Sequence, residues 1–363
     1  MGDSCRWQLA TRCDRLFDGD EGVLNCIFSL GINESIVHIP MRHFPMSFHK
    51  LPEAELSRRN FLHSASLAVM AAGGTLGSAA ASAAEPIQRA GQPFFKLSLA
   101  AYSFRDQLSR NWPAPSGKPG TMTLFDFMDF CAEQNLDGTE LTSYYFPNPL
   151  PTSELLKIKE YAFRLGLGIS GTAIGNNFCL SAGAARDAQL HLCRQWIDYA
   201  VEMGAPVIRI FAGAVGPGQS QADAVDLCVQ GIEESLRYAE KKGVLLALEN
   251  HGGITSTSDQ LLELVKRVQP SPWFGVNFDS GNFHTEDPYA DLEKIAPYAV
   301  NAQIKVSMSP QGKGKQQADY KRIIEILKQV GYRGYLALEY EEKEDPRKTI
   351  PGHLDKLREL IAG

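Results

Sequence analysis

The sequence lacks the cysteine spacing of metal and redox motifs. Its seven cysteines are scattered, and no two of them form a Cys-x-x-Cys pair. That absence excludes a zinc knuckle and a thioredoxin-like redox motif. The sequence also lacks an excess of basic charge. It has 36 Lys and Arg residues and 42 Asp and Glu residues, which gives a net charge of −6. Phosphate binding needs a basic face, so we expect no nucleic-acid partner.

Long hydrophobic runs are absent too. The uncharged stretch from Ser64 to Ala84 is rich in Ala, Gly and Ser and is only moderately apolar, which does not favour a membrane-spanning helix. What is present is an ordinary globular composition of 363 residues, 44% hydrophobic and 21% charged. Such a chain is long enough for one large α/β domain or two modest ones.

The uncharged stretch lies in a segment that resembles a twin-arginine export signal. Ser57-Arg58-Arg59-Asn60-Phe61-Leu62 matches the signature, and Ala81-Ser82-Ala83 is a small-x-small cleavage site. We interpret residues 46–84 as the signal peptide, with Met46 as the translation start, and leave residues 1–45 unassigned. The resemblance implies a bacterial protein that works in the periplasm or otherwise outside the cytoplasm, without stable membrane insertion after processing.

Short apolar runs alternate with helical patterns from Phe94 onward. The eight predicted strands are Lys96–Ala101, Gly138–Leu141, Leu167–Thr172, Val207–Phe211, Val244–Glu249, Phe274–Phe278, Ala299–Lys305 and Tyr335–Glu339. Several of the intervening helices end in a glycine, the usual residue at a left-handed helix terminus: Gly166, Gly204, Gly243 and Gly331.

Eight βα units within residues 94–363 predict a (β/α)8 TIM barrel. An open, doubly wound α/β sheet is the alternative, because it also alternates strands and helices. A sheet of that kind normally carries a glycine-rich dinucleotide turn after its first strand. Here the first strand leads into Tyr102-Ser103-Phe104-Arg105, so the barrel is favoured.

Acidic residues close three of the predicted strands. Glu249 ends strand five, Asp279 follows strand six, and Glu339 ends strand eight. Side chains at these positions converge on one rim of a barrel, where catalytic groups gather. Carboxylates brought together there would repel one another unless a cation balanced them. A hard divalent ion such as Mn2+ or Mg2+ suits oxygen ligands of this kind.

The segments ALENHGG, GVNFDSGN, NAQIKV and GYLALEYE, in this order, resemble the xylose isomerase-like TIM barrel family of sugar phosphate isomerases and epimerases. The resemblance covers residues 94–363 and implies one divalent metal bound by Glu249, Asp279, Gln303 and Glu339. Gln303 stands where the family has His, which shifts the expected preference toward Mn2+ or Mg2+, with Zn2+ and Co2+ as alternatives. Asn282 likewise replaces a His that is common in ketose epimerases.

The same resemblance implies proton transfer next to a carbonyl through an enediolate, with Glu249 and Glu339 as the catalytic acid and base. The alternative is a lyase that cleaves a 3-oxo-glycoside by elimination from the same enolate. Either substrate is a small sugar or glycoside. Candidate substrate-binding residues are Tyr102, Glu140, Arg209, His251, Asn282 and Lys305.

Two further interpretations are less well supported. A related endonuclease for abasic DNA shares the barrel but needs a trinuclear zinc site, and only eight histidines occur in the chain. An exported carbohydrate-binding barrel with a structural metal would not need the pair of metal-side glutamates. The sequence also allows a homo-oligomer and does not identify the sugar.

Overall fold

The structure is a computed structural model that describes residues 85–362 and the backbone of Thr11–Arg12 and Ile27–Phe28. These two dipeptides pair antiparallel within a unit spanning Met1–Leu76, whereas a second unit spans Gly77–Gly363. The predicted signal peptide lies outside the described residues and stays a prediction. Within residues 85–362, no helix combines the length and the apolar composition needed to cross a bilayer.

Eight parallel strands close into a barrel in which each strand pairs with its neighbours in the chain and the last pairs with the first. Their bounds are β1 Phe94–Ala100, β2 Gly138–Thr142, β3 Gly168–Ala173, β4 Val207–Ile210, β5 Leu245–Glu249, β6 Phe274–Asp279, β7 Ala299–Lys305 and β8 Arg333–Glu339. Closure confirms the predicted (β/α)8 barrel and excludes the open sheet.

A helix follows every strand and packs outside the barrel. The helices are α1 Leu124–Glu133, α2 Thr152–Arg164, α3 Ala184–Met203, α4 Gln221–Lys242, α5 Ser258–Arg267, α6 Pro288–Ile295, α7 Tyr320–Gln329 and α8 Pro346–Ala362. Short 3-10 turns also occur at Ala101–Phe104, Ser143–Tyr145 and Ala296–Tyr298. All eight predicted helices are present.

Local signals determine where helices begin and end. The Ser220 hydroxyl accepts from the Asp223 N–H while the Asp223 carboxylate accepts from the Ser220 N–H, so this capping box satisfies two donors at the start of α4. At the other end, Gly243 has φ +72°, the left-handed conformation that terminates the helix. Gly204 ends α3 in the same way. The predicted glycine stops are confirmed.

The interior of the barrel is polar toward the carboxyl ends of the strands. Large apolar side chains such as Trp196 fill the layer between strands and helices, where they are fully buried. Inside the barrel lie four buried polar side chains, each at most 3% exposed: Glu140, Asn277, Asn301 and Gln303. Burial of such groups is costly without partners, so their presence marks the barrel end where a site is built.

Candidate active site

A cleft of about 200 Å3 opens at the carboxyl-terminal rim of the barrel. Its lining comprises Tyr102, Arg110, Tyr144, Arg209, Phe211, Glu249, His251, Asn282, Gln303, Lys305, Glu339 and Glu341. The structure therefore brings most of the predicted site residues into one cleft. A wider depression of about 390 Å3 runs along α4 and contains none of them.

Glu249 ends β5 and is held by a buried cation. Its Oε2 lies 2.8 Å from Arg209 Nε, and its Oε1 accepts a 2.9 Å hydrogen bond from Asn282 Nδ2. The Arg209 guanidinium also lies 3.9 Å from the centroid of the Phe211 ring. Burial raises the pKa of Glu249 to about 8, against the opposing effect of Arg209. Arg209 thus pairs with Glu249.

Asp279 ends β6 and is fully buried. The Asn250 amide fixes its backbone, because it accepts from the Asp279 N–H at 3.0 Å and donates to the Asp279 carbonyl at 2.9 Å. One carboxylate oxygen, Oδ1, accepts from the Gly281 N–H at 2.8 Å. The other, Oδ2, has no hydrogen-bond partner among the described residues. Burial raises the pKa of Asp279 to about 7 although nearby Lys305 lowers it.

Lys305, at the end of β7, stands between the acids of β6 and β8. Its ammonium lies 2.8 Å from Glu339 Oε2 and 3.5 Å from Asp279 Oδ2, and it also contacts Glu341. Two of the predicted metal ligands therefore share a lysine cation. Lys305, predicted as a substrate-binding residue, thus also forms ion pairs with three acids.

Gln303 lies two residues before Lys305 and turns into the barrel. Its Nε2 donates to Glu140 Oε1 at 2.6 Å, and its Oε1 accepts from Asn277 Nδ2 at 2.7 Å. Glu140 is fully buried below the cleft and is not among the residues that line it. The structure thus links Glu140 to Gln303 rather than exposing it to a substrate.

Aromatic rings form the outer wall of the cleft. His251 is exposed at the rim and stacks on Phe211 with ring centroids 4.1 Å apart, and Tyr102 meets Tyr144 edge-on at 6.3 Å. The Arg110 guanidinium covers the Tyr144 ring at 4.0 Å. Arg209 and His251 lie against Phe211, and Arg110 lies against Tyr144, so the rings that remain for the C–H groups of a sugar are those of His251 and Tyr102.

The cleft is rich in the oxygen donors that a hard divalent cation prefers, but the Lys305 ammonium lies between two of them. Three cations line the cleft, Arg110, Arg209 and Lys305. Five acids lie in it or below it: Glu140, Glu249, Asp279, Glu339 and Glu341. The acids outnumber the cations, and within residues 85–362 the buried Asp279 Oδ2 has no hydrogen bond, only the 3.5 Å contact with the Lys305 ammonium. As the side chains stand, no three His, Cys, Asp or Glu groups among the described residues form a compact metal cluster. Metal binding would therefore require Lys305 to break its ion pair with at least one of these carboxylates.

The residues of this site that were not predicted from the sequence include Asn277, Asn301, Glu341, Arg110 and Phe211. A signal for the first two was present, because Asn277 lies two residues before Asp279 and Asn301 two residues before Gln303. Residues two apart on a strand face the same side, so polar residues at that spacing in an apolar strand point to the barrel interior. Glu341 lies beyond the end of β8, where this alternation gives no guidance.

Gly253 allows the loops after β4 and β5 to touch. It has φ +53°, and a Cβ added there would lie 2.1 Å from the Gly213 carbonyl oxygen. We expect Gly253→Ala to lower the thermal midpoint by several degrees, because the loops must separate. Gly252→Ala is the matched control, since Gly252 has φ +67° with open space around it. Backbone strain alone should lower the stability of that variant by about 1–2 kcal/mol. Equal midpoints for the two variants would show that the loop contact is unimportant.

A profile of one protein family, the xylose isomerase-like TIM barrels, matches residues 125–360. The chain belongs to this family. Among curated relatives, the L-ribulose-5-phosphate 3-epimerase UlaE of Escherichia coli is 27% identical over 189 residues, which are 49% of this chain and 66% of that enzyme. An uncharacterized protein of Methanocaldococcus jannaschii is 22% identical over 66% of this chain and 88% of its own length.

Solved structures of the family share the fold at low identity. A D-psicose 3-epimerase in the presence of D-fructose has a TM-score of 0.60 at 18% identity, covering 74% of this chain and 100% of its own. The 3-keto-D-glucoside 4-epimerase YcjR of Escherichia coli has a TM-score of 0.56 at 15% identity, covering 73% and 99%. The named relatives and neighbours thus include several sugar epimerases, and at these identities the structural likeness establishes the barrel alone.

Proposed function

We propose that this chain is a divalent-metal-dependent sugar isomerase or epimerase that moves a proton at the carbon next to a carbonyl. The observation that carries the proposal is the pair of buried acids Glu249 and Glu339 in one cleft, with the buried Asp279 nearby, whose Oδ2 lies 3.5 Å from the Lys305 ammonium. Glu249 ends β5 and Glu339 ends β8, three positions apart around the barrel. A substrate held between them would present opposite faces to the two groups.

Glu249, Asp279, Glu339 and the side-chain oxygen of Gln303 would hold the cation. Mn2+ or Mg2+ bound there would supply Lewis-acid polarisation of the substrate carbonyl. One glutamate removes the proton from the adjacent carbon, and the C–H electrons pass into an enediolate. The other glutamate returns a proton to the opposite face, which inverts the carbon. Lys305, whose ammonium lies 2.8 Å from Glu339 Oε2, would place a positive charge beside the negative charge that develops on the enediolate oxygen.

The loops beyond β7 and β8 favour an unphosphorylated sugar. TIM barrels frequently bind phosphate beside the last two strands. Here Glu341 and Glu342 follow β8, and Lys315 of the neighbouring loop is paired with Glu342. An incoming phosphate would meet these acids. The small cleft fits a single sugar unit better than an oligosaccharide, and its aromatic wall suits an uncharged ring face.

Metal removal tests the proposal directly. We expect the chelated protein to be inactive on free ketoses and to recover with Mn2+ or Mg2+, because the carbonyl would otherwise be unpolarised. In heavy water the active protein should place deuterium at the carbon beside the carbonyl, which mass spectrometry and NMR detect. The phosphorylated ketose should react more slowly than the free one.

Other outcomes would overturn parts of this proposal. Turnover by the chelated protein without deuterium incorporation would rule out the metal-assisted proton transfer. Release of an aglycone from a 3-oxo-glycoside would identify elimination, and sugar binding without any turnover would identify a binding protein.

We also propose export by the twin-arginine route, which rests on Arg58 and Arg59 in the segment 46–84. Arg58→Lys/Arg59→Lys should retain the protein in the cytoplasm, because the signal requires the arginine pair. A chain that starts at Met46 should still be exported. Fractionation of cells followed by immunoblotting measures both results. Retention of the shortened chain with export of the full one would show that Met46 is not the start.

A further inference from the structure

Four buried side chains at the centre of the barrel form a closed hydrogen-bonded ring, which we call the amide ring: Glu140, Asn277, Asn301 and Gln303. Asn301 Nδ2 donates to Glu140 Oε2 at 3.2 Å and to Asn277 Oδ1 at 2.8 Å. Asn277 Nδ2 donates to Gln303 Oε1 at 2.7 Å, and Gln303 Nε2 donates to Glu140 Oε1 at 2.6 Å. The ring joins β2, β6 and β7, and each member is at most 3% exposed.

The carboxylate gives the amide ring its direction. Glu140 accepts on both oxygens, so the NH2 groups of Asn301 and Gln303 must face it. The Gln303 oxygen then points away from Glu140 toward the NH2 group of Asn277. Reversal of the Gln303 amide would set its oxygen against the carboxylate and its NH2 against the Asn277 donor, leaving buried groups unsatisfied.

The direction of the ring matters for the cleft. Asn277 Nδ2 also lies 3.2 Å from Glu249 Oε2, so the Gln303 side-chain oxygen and a Glu249 oxygen both accept hydrogen bonds from the same NH2 group. Gln303 lines the cleft, and an amide oxygen that accepts one hydrogen bond keeps a second lone pair. The ring thus presents an oxygen, rather than an NH2 group, on the side of Glu249.

We infer that Glu140 is a positioning residue, which orients Gln303 as an oxygen ligand of the metal without touching the metal or the substrate itself. The inference rests on the proposed metal-dependent function. A glutamine at position 140 would fill the same space but would offer its own NH2 group to the ring, so both orientations of Gln303 would become accessible. The acid therefore has a role that its neutral isostere lacks.

The test is the affinity for Mn2+ measured by calorimetry on the chelated, purified protein. Residues that orient a metal ligand typically contribute about 10–100-fold to affinity, so Glu140→Gln should raise the Kd for Mn2+ by about that factor. Glu140→Asp keeps the acceptors and should recover part of the loss. Ser98→Ala is the matched control, because Ser98 is equally buried and pairs with Ser170 at 2.7 Å outside the amide ring. Its Kd should equal that of the wild type.

A double-mutant cycle separates positioning from loss of folding. In a Gln303→Ala background, Glu140→Gln should have no further effect on the Kd, because no ligand remains to be oriented. An unchanged Kd in the single variant Glu140→Gln, or an equal loss in both backgrounds, would overturn the positioning role while leaving the proposed function intact. A wild type that binds no Mn2+ and no Mg2+ would overturn both.

Discussion

Glu339→Gln is expected to lower kcat by about 10²–10⁴-fold, the usual contribution of a general acid or base. The amide of the variant keeps an oxygen that can contact a cation. This oxygen can also accept a hydrogen bond from Lys305, whose ammonium lies 2.8 Å from Glu339 Oε2. It cannot carry a proton between substrate and enzyme. Steady-state kinetics with a free ketose measures the loss, and elemental analysis of the same sample measures the bound metal.

Glu342→Gln is the matched control for this variant. Glu342 lies three residues along the chain, is half-buried, and binds Ser307 and Lys315 outside the cleft lining. The same chemical change there should leave kcat within a few-fold of the wild type. An undiminished rate in Glu339→Gln at full metal content would remove Glu339 from the proton transfer, whereas loss of the metal would point to a ligand role instead.

The barrel was predictable because its signals are local. Each strand is a short apolar run, and glycines such as Gly204 and Gly243 end the preceding helices in the left-handed conformation. The boundaries that depend on tertiary pairing were less accurate. β8 begins at Arg333 rather than at the predicted Tyr335, because Arg333 pairs with Phe94 where the barrel closes. An exposed residue of this kind has no hydrophobic signal in the sequence.

The site was predictable in part for a similar reason. Glu249, Asp279 and Glu339 end buried strands, and barrel geometry brings strand ends to one rim. The side chains that contact these acids depend on how the strands are staggered, and a single sequence does not reveal that stagger. Gln303 meets Glu140 across 163 residues of chain, and Lys305 contacts Glu341 beyond the end of β8. The metal ligation itself and the catalytic roles remain predictions.

Arg209→Met is expected to lower the free energy of unfolding of the metal-free protein by about 3–5 kcal/mol, the typical cost of removing one partner of a buried ion pair. Arg209 and Glu249 are both buried, with 2.8 Å between Nε and Oε2. Because the pKa of Glu249 is about 8, the variant leaves a carboxylate without its cation only at higher pH, so the full loss is expected in alkaline buffer. The hydrogen bond from Arg209 to the Ile174 carbonyl, at 2.8 Å, is lost as well. Urea denaturation followed by fluorescence measures the change.

Two further variants show whether the cost arises from the unpaired charge. Arg194→Met breaks an exposed pair with Glu234 and should cost less than about 1 kcal/mol. Arg209→Met/Glu249→Gln removes both charges and should recover most of the stability that the single variant loses. If Glu249 is a metal ligand, Mn2+ should reduce the difference in free energy of unfolding between Arg209→Met and the wild type, because the ion replaces the missing positive charge. If neither the second substitution nor the ion reduces this loss of stability, then the packing of Arg209 on Phe211 and its hydrogen bond to the Ile174 carbonyl, not the ion pair, stabilise this end of the barrel.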